Sequence, residues 1–272
     1  MATAPITPND PQKNVEQLFA MLKSVSEFDE IEVRGIVNTI IQPTERESCF
    51  QLIYHRCVAN VASLKALANR QHFQAISMIT RNLFELVVDI KLIDVISDAV
   101  PKMIGFIDVE KARCARKIIR FKAAHPTIAL DDSIYQSFIA AEGARIDTMK
   151  ATLWPGVRRL DHWSDKTLKG RAELLGTKYE EIYEVEQPRL SWQVHSGLTG
   201  IANLKIETFT AMCGVALKSC TDSYEGILLS VIDEFKIGKA DEKIKGKLMA
   251  AKFAAFAKDQ AEADMIFRQL TS

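Results

Sequence analysis

Apolar residues recur by threes and fours along most of this chain, and nowhere does the pattern call for a strand. Val15, Leu18, Phe19 and Leu22 predict a helix from Gln12 to about Val25, and a second short helix is expected from Glu30 to Ile41, ended by Pro43. Thr44 then precedes a run from Glu45 to Arg70 that has no Gly or Pro. Its stripe of Phe50, Ile53, Tyr54, Cys57, Val61, Leu64 and Leu67 marks an amphipathic helix. The next segment, His72 to Ser97, is apolar almost all round: Ile76, Ile79, Leu83, Leu86, Ile90 and Ile93 form one stripe, and Phe84, Val88, Leu92 and Val95 a second. A helix of that kind belongs in the middle of a bundle.

Pro101 restarts the chain, and a helix is expected from Met103 to about Ala124, ended by Pro126. Asp131-Asp132-Ser133 reads as the cap of another, running to Leu153. Trp154-Pro155-Gly156 breaks the period, and the stretch to about Gly170 is the one long loop, a length that usually carries function or lies packed across a surface. Short helices are expected over Leu168 to Leu175 and Tyr179 to Glu186. Proline is tolerated in a first helical turn, so a new helix is expected at Pro188, carrying Ser191, His195 and Thr199 on one face. Helical period returns from Ile201 to Phe235, and a last amphipathic helix is predicted from Asp241 to Leu270. The expected fold is all-α, an antiparallel helical bundle with a long Trp-containing loop and a C-terminal accessory helix. The corresponding divisions are a tail with short helices over 1–42, a bundle core over 43–236 and the C-terminal helix over 237–272.

Composition narrows the chemistry. The chain has 272 residues, with 35 Lys and Arg against 35 Asp and Glu, so no whole-molecule field draws it to nucleic acid or an anionic membrane; any such contact must be a local patch. Five cysteines without a CxxC pair suit reduced thiols in a cytoplasm, and neither a disulfide framework nor structural zinc is expected. Cys213 and Cys220 read as small core residues. The most apolar run, Leu83 to Ile96, is interrupted by Glu85, Asp89, Lys91 and Asp94, so no membrane span is expected; the first ten residues lack the charge and apolar core of a secretory signal. No HExxH, Walker loop or Glu-x-x-His pair is present, and neither a metal nor another cofactor is expected.

Candidate polar chemistry falls in three places. Arg81 and Glu85, one turn apart on the central helix, are expected to be half buried, where a charge needs a partner: they form either an ion pair that fixes helix register or part of a site. The second half of the Met103–Ala124 helix places Lys111, Arg113, Arg116, Lys117, Arg120 and Lys122 within twelve residues, a face that is either solvated or able to meet phosphates, with Arg116, Lys117 and Arg120 as candidate substrate contacts. The third is Arg189, Ser191 and His195 after Pro188, together with Trp163 and Arg171 of the preceding loop and helix. Trp163 is either an anchor for the loop or a platform for a base.

Three pieces of the sequence resemble a family of bacterial helical proteins known as a domain of unknown function, DUF5677. They are Arg81-Asn-Leu-Phe-Glu85 with Val87-Val-Asp-Ile-Lys-Leu-Ile93; His162-Trp163-Ser164 with Lys169-Gly-Arg171-Ala-Glu173-Leu-Leu-Gly176; and Tyr179, Tyr183, Ser191 and Val194-His195-Ser196. They span roughly residues 45 to 235. The segment from Arg189 to His195 also resembles, more loosely, the Arg-spacer-His motif of the HEPN superfamily. That resemblance implies a homodimeric, metal-independent endoribonuclease acting as a toxin or phage-defence effector, with RNA as substrate and an antitoxin or other protein as partner. His195 would then be the general acid/base and Arg189 the group that stabilises charge on the phosphate. Leu190 departs from the polar residue common after the motif arginine, and the family pattern favours an alternative grouping of Arg81 and Glu85 with Ser191 and His195. A non-catalytic helical module that binds a protein partner is the competing reading.

Overall fold

A computed structural model describes residues 11–67, 72–194, 205–238, 243–257 and 260–271. Among them every regular element is helical and no strand occurs, so the fold is all-α. The helices are α1 (Pro11–Phe28), α2 (Arg34–Asn38), α3 (Glu45–Ala66), α4 (Phe73–Leu92), α5 (Ala99–Ala124), α6 (Ser133–Leu153), α7 (Leu168–Leu174), α8 (Thr177–Glu181), α9 (Gln187–Val194), α10 (Ile206–Glu234), α11 (Ile244–Ala254) and α12 (Gln260–Thr271). They fall into two compact units. One comprises residues 1–91 and 175–272, the other 92–174, a boundary that cuts within the 43–236 stretch.

In the larger unit the apolar stripes read from the sequence are buried. Phe50, Ile53, Tyr54, Cys57, Val61 and Leu64 of α3 are in the core with Ile76, Leu83, Phe84, Val88 and Ile90 of α4, and Cys213, Leu217, Cys220, Ile227 and Val231 of α10. Cys213 and Cys220 are free, buried thiols, and burial pushes Cys220 well above its ordinary value. α4 and α10 approach so closely that a Cβ on Gly226 would lie 2.9 Å from the Val87 side chain, and the Thr80 hydroxyl donates both to its own helix at Ile76 O and across to Ala216 O at 3.1 Å. α3 starts sharply because Thr44 and Glu47 form a reciprocal capping box, with the Thr44 amide donating to the Glu47 carboxylate at 2.7 Å and the Glu47 amide to the Thr44 hydroxyl at 3.2 Å.

Several boundaries differ from those the periodicity predicts. α1 does not stop near Val25 but continues through a π-helical turn, Asp29–Val33, into α2. The wider turn carries Asp29 fully into the core while Ile31 stays 78% exposed. Tyr54 donates to Asp29 Oδ1 at 2.5 Å and Arg34 to Oδ2 at 2.9 Å, so the buried carboxylate is answered on both oxygens. Burial and the neighbouring carboxylate both push the Tyr54 phenol up, which keeps it a neutral donor. Pro188 likewise does not open a new helix. A second π-turn, Ile182–Glu186, joins α8 to α9, and the Gln187 amide reaches back to Ile182 O, five residues away, so the helical path absorbs the proline instead of ending at it. The helix expected over 241–270 is two, α11 and α12, which pack together so tightly at Gly246 that a Cβ there would collide with the Leu270 carbonyl.

The smaller unit is a hairpin of α5 and α6 with the Trp loop folded on it. α5 begins at Ala99, earlier than Met103, because Pro101 sits in the first turn, where no amide is needed. The two helices run back along each other: a Cβ on Gly105 would lie 2.9 Å from the Leu153 side chain and 3.1 Å from the Met149 sulfur, and Arg116 pairs with Asp147 at 2.8 Å. Val109, Ala112, Ile146, Trp154 and Leu160 form its buried core.

The Asp29 arrangement yields a stability prediction. Asp29→Ala is expected to lower the unfolding free energy by about 2–4 kcal/mol, because it strands the Tyr54 hydroxyl and frees one side of Arg34. Tyr54→Phe removes one charge-assisted hydrogen bond and is expected to cost roughly 1.5–3 kcal/mol. Urea denaturation of the full chain, read as a shift in midpoint at unchanged slope, measures both.

Candidate functional site

Helices α4 and α9 bring together three of the polar residues that the sequence singled out. Arg81 pairs through Nε with Glu85 Oε1 at 3.4 Å, one turn along α4, and its Nη1 donates to the Ser191 hydroxyl of α9. Ser191 in turn donates to Gln187 O at 2.7 Å, so its oxygen is held between its own helix and the guanidinium. Arg81 and Glu85 are each about a third exposed, at 29% and 38%, which leaves the charged pair at the edge of solvent. A guanidinium fixed by a carboxylate on one side and a hydroxyl on the other, yet open to solvent, is able to receive an anion with its remaining donors. Arg189 belongs to α9 as well, two residues before Ser191; His195 lies outside the described residues.

Gln187 is a residue at this helix pair that sequence reading missed. It is buried, and neither atom of its side-chain amide has a hydrogen-bond partner among the described residues. Its position just before a proline gave no amphipathic cue, since the π-turn that precedes it shifts the helical phase.

Trp163 and Arg171 belong to the smaller unit and serve the loop. Trp163 is 4% exposed and offers no ring face to solvent, while Trp154 donates its indole N–H to the Trp163 carbonyl at 2.7 Å. Arg171, also buried, lies with Nη1 2.9 Å from His162 Nε2. The other ring nitrogen, Nδ1, lies 2.8 Å from the Ser164 hydroxyl and accepts from the Ser164 amide at 3.2 Å, so both ring nitrogens are engaged within the loop. His162-Trp163-Ser164 and Arg171 thus close the loop onto α7.

The basic half of α5 is divided by the structure. Arg113, Arg116 and Arg120 line a cavity of about 240 Å³ with Lys150, Arg158 and Arg159, over an apolar floor of Val109, Ile146 and Leu160. Lys117 is exposed and does not line it.

A larger groove, about 780 Å³, opens in the other unit between α1, α4, the Tyr179–Glu186 segment, α10 and α11. Its walls are apolar, with Leu18, Phe84, Ile182, Val185, Phe253 and Phe256, and its rim is charged. Lys252 bridges Asp222 at 2.7 Å and Glu225. Burial alone would raise the Asp222 carboxyl, but Lys218 and Lys252 outweigh it and hold it below the usual range.

Set against family models, curated proteins and solved structures, the chain has no significant match in any of the three comparisons. Among the described residues no helix is long and apolar enough to cross a membrane, and no group of His, Cys, Asp or Glu is arranged to hold a metal ion.

Arg171→Ala is expected to loosen the loop: trypsin should cut at Arg158 and Arg159 faster than in the parent, and thermal unfolding should report a loss of roughly 2–3 kcal/mol, the cost of a deleted buried charge-assisted bond and its packing.

Proposed function

We propose that this chain is a HEPN-like helical protein that cleaves RNA without a metal ion, with Arg81 stabilising the phosphate and His195 moving the proton. The observation that carries the reading is the hydrogen bond between Arg81 and Ser191, which joins the central helix to the one that leads in sequence to His195, four residues beyond Ser191. In the reaction the imidazole of His195 takes the proton of a ribose 2′-hydroxyl, and the 2′-oxygen attacks the adjacent phosphorus. The 5′-oxygen leaves with a proton returned by the imidazolium, so the products are a 2′,3′-cyclic phosphate and a 5′-hydroxyl. Arg81, oriented by Glu85 and Ser191, offers fixed donors to the charge that accumulates on the non-bridging oxygens. On this reading the protein acts as a cytoplasmic homodimer, as a toxin or phage-defence effector restrained by a protein partner.

A second reading has its own observation. The groove on the larger unit has apolar walls, and Phe253 and Phe256 at its edge are 42% and 44% exposed. A groove of that character suits an amphipathic helix of a partner such as an antitoxin, and makes the chain a non-catalytic docking module.

Purified wild-type protein and the His195→Ala, Arg81→Ala and Arg189→Ala variants, compared on one RNA pool in EDTA, separate these readings. His195→Ala is expected to lose about 100- to 10,000-fold in rate and Arg81→Ala about 100- to 1,000-fold, with circular dichroism unchanged. Arg189→Ala is expected to retain activity. Loss with Arg189→Ala alone among the arginines moves the site to the short motif, and a wild-type protein that is folded but inert leaves the docking module.

A further inference from the structure

The cavity on the smaller unit is a second place where chemistry is concentrated. Its lining carries Arg113, Arg116, Arg120, Lys150, Arg158 and Arg159 against a single carboxylate, Asp147. Three of the cations are answered. Arg116 pairs with Asp147 at 2.8 Å, Arg159 with Asp161 at 2.9 Å, and Arg113 with Glu110 at 2.5 Å and Asp161 at 3.5 Å. The other three have no carboxylate within ion-pair distance among the described residues. Arg120 donates to Arg116 O at 3.2 Å, Lys150 donates to Arg158 O at 3.3 Å, and the Arg158 guanidinium is exposed. Those two bonds end on backbone carbonyls and leave each charge unneutralised.

This concentration is assembled by the fold. α5 supplies Arg113, Arg116 and Arg120, α6 supplies Lys150, and the loop, fixed by Trp154 and the Leu160 carbonyl bond to Arg113 at 3.3 Å, supplies Arg158 and Arg159. Like charges gathered over an apolar floor repel one another unless an anion enters, and the repulsion is greater where water is partly excluded. About 240 Å³ holds the liquid volume of roughly eight water molecules, room for a phosphate group and the first atoms bonded to it. The forked donors of several arginines suit the oxygens of phosphate better than a single carboxylate would.

We propose that this cavity is a phosphate-binding site, in which Arg120, Lys150 and Arg158, supported by Arg116, hold a phosphate group of a nucleic-acid strand or of a small phosphorylated ligand. The assignment does not rest on the chemistry read for Arg81 and His195.

The full chain is titrated with two probes at fixed ionic strength: sodium pyrophosphate, followed by calorimetry, and a fluorescein-labelled single-stranded RNA of ten nucleotides carrying 2′-O-methyl groups so that it cannot be cleaved, followed by anisotropy. The double variant Arg120→Gln/Arg158→Gln removes two exposed, unneutralised cations, and Lys117→Gln removes a cation of the same helix that does not line the cavity. The double variant is expected to weaken binding roughly tenfold or more, as loss of charge-assisted bonds requires, while Lys117→Gln leaves it unchanged. That pattern with pyrophosphate assigns a small phosphorylated ligand; with RNA alone it assigns a strand phosphate, and the salt dependence of binding should then flatten by about 0.7 for each cation removed. If wild-type protein binds neither probe, or if Lys117→Gln weakens binding as much as the double variant does, the cavity is not a site and the proposal fails.

Discussion

The larger unit depends on one buried carboxylate. Asp29 sits in a π-turn whose extra residue carries it into the core, and it is tolerated there because Tyr54 of α3 and Arg34 of α2 answer its two oxygens. The same turn reaches outward through Glu30, which pairs with Lys65 at 3.2 Å, and Glu32, which pairs with Lys247 of α11 at 3.4 Å. A single irregular turn therefore ties α1 to α2, α3 and α11. Removing it would leave those helices with their apolar stripes but without the polar contacts that set which turn of one faces which turn of another.

The hydrophobic period made the long helices legible because burial rewards the same positions that define the pattern: the α3 stripe from Phe50 to Leu64 and the α4 stripe around Leu83 and Ile90 are inside. What escaped the pattern are the places where the period changes. A π-turn shifts the phase of every later residue, so Pro188 reads as a helix start although it lies within a continuous helical path, and the apolar stripes gave no sign of Asp29, which is fully buried. The split between α11 and α12 was hidden for another reason. Ala255, Phe256 and Ala257 are good or neutral helix formers, and it is packing at Gly246 against Leu270 that decides the hairpin.

The polar sites were legible to a lesser extent. Spacing alone placed Arg81 beside Glu85, and the grouping with Ser191 corresponds to a hydrogen bond between α4 and α9. The basic run of α5 drew attention to Arg116 and Arg120, but a one-dimensional count could not tell that Lys117 does not line the cavity or that Lys150, Arg158 and Arg159 come from other segments to complete it. Electrostatic concentration is a property of the folded surface, and the balanced charge of the whole chain conceals it. Trp163, conspicuous in the sequence, is committed to the core of the loop, where its burial stabilises the segment that carries Arg158 and Arg159.

The central claim, that the α4–α9 pair serves metal-independent cleavage of RNA, is tested most directly by the ends of the product. Wild-type protein is incubated with RNA in EDTA, and the fragments are resolved by mass spectrometry. The account predicts 2′,3′-cyclic phosphates with matching 5′-hydroxyl ends. Fragments bearing 3′-hydroxyl and 5′-phosphate ends, or intact RNA after prolonged incubation with folded protein, would contradict it.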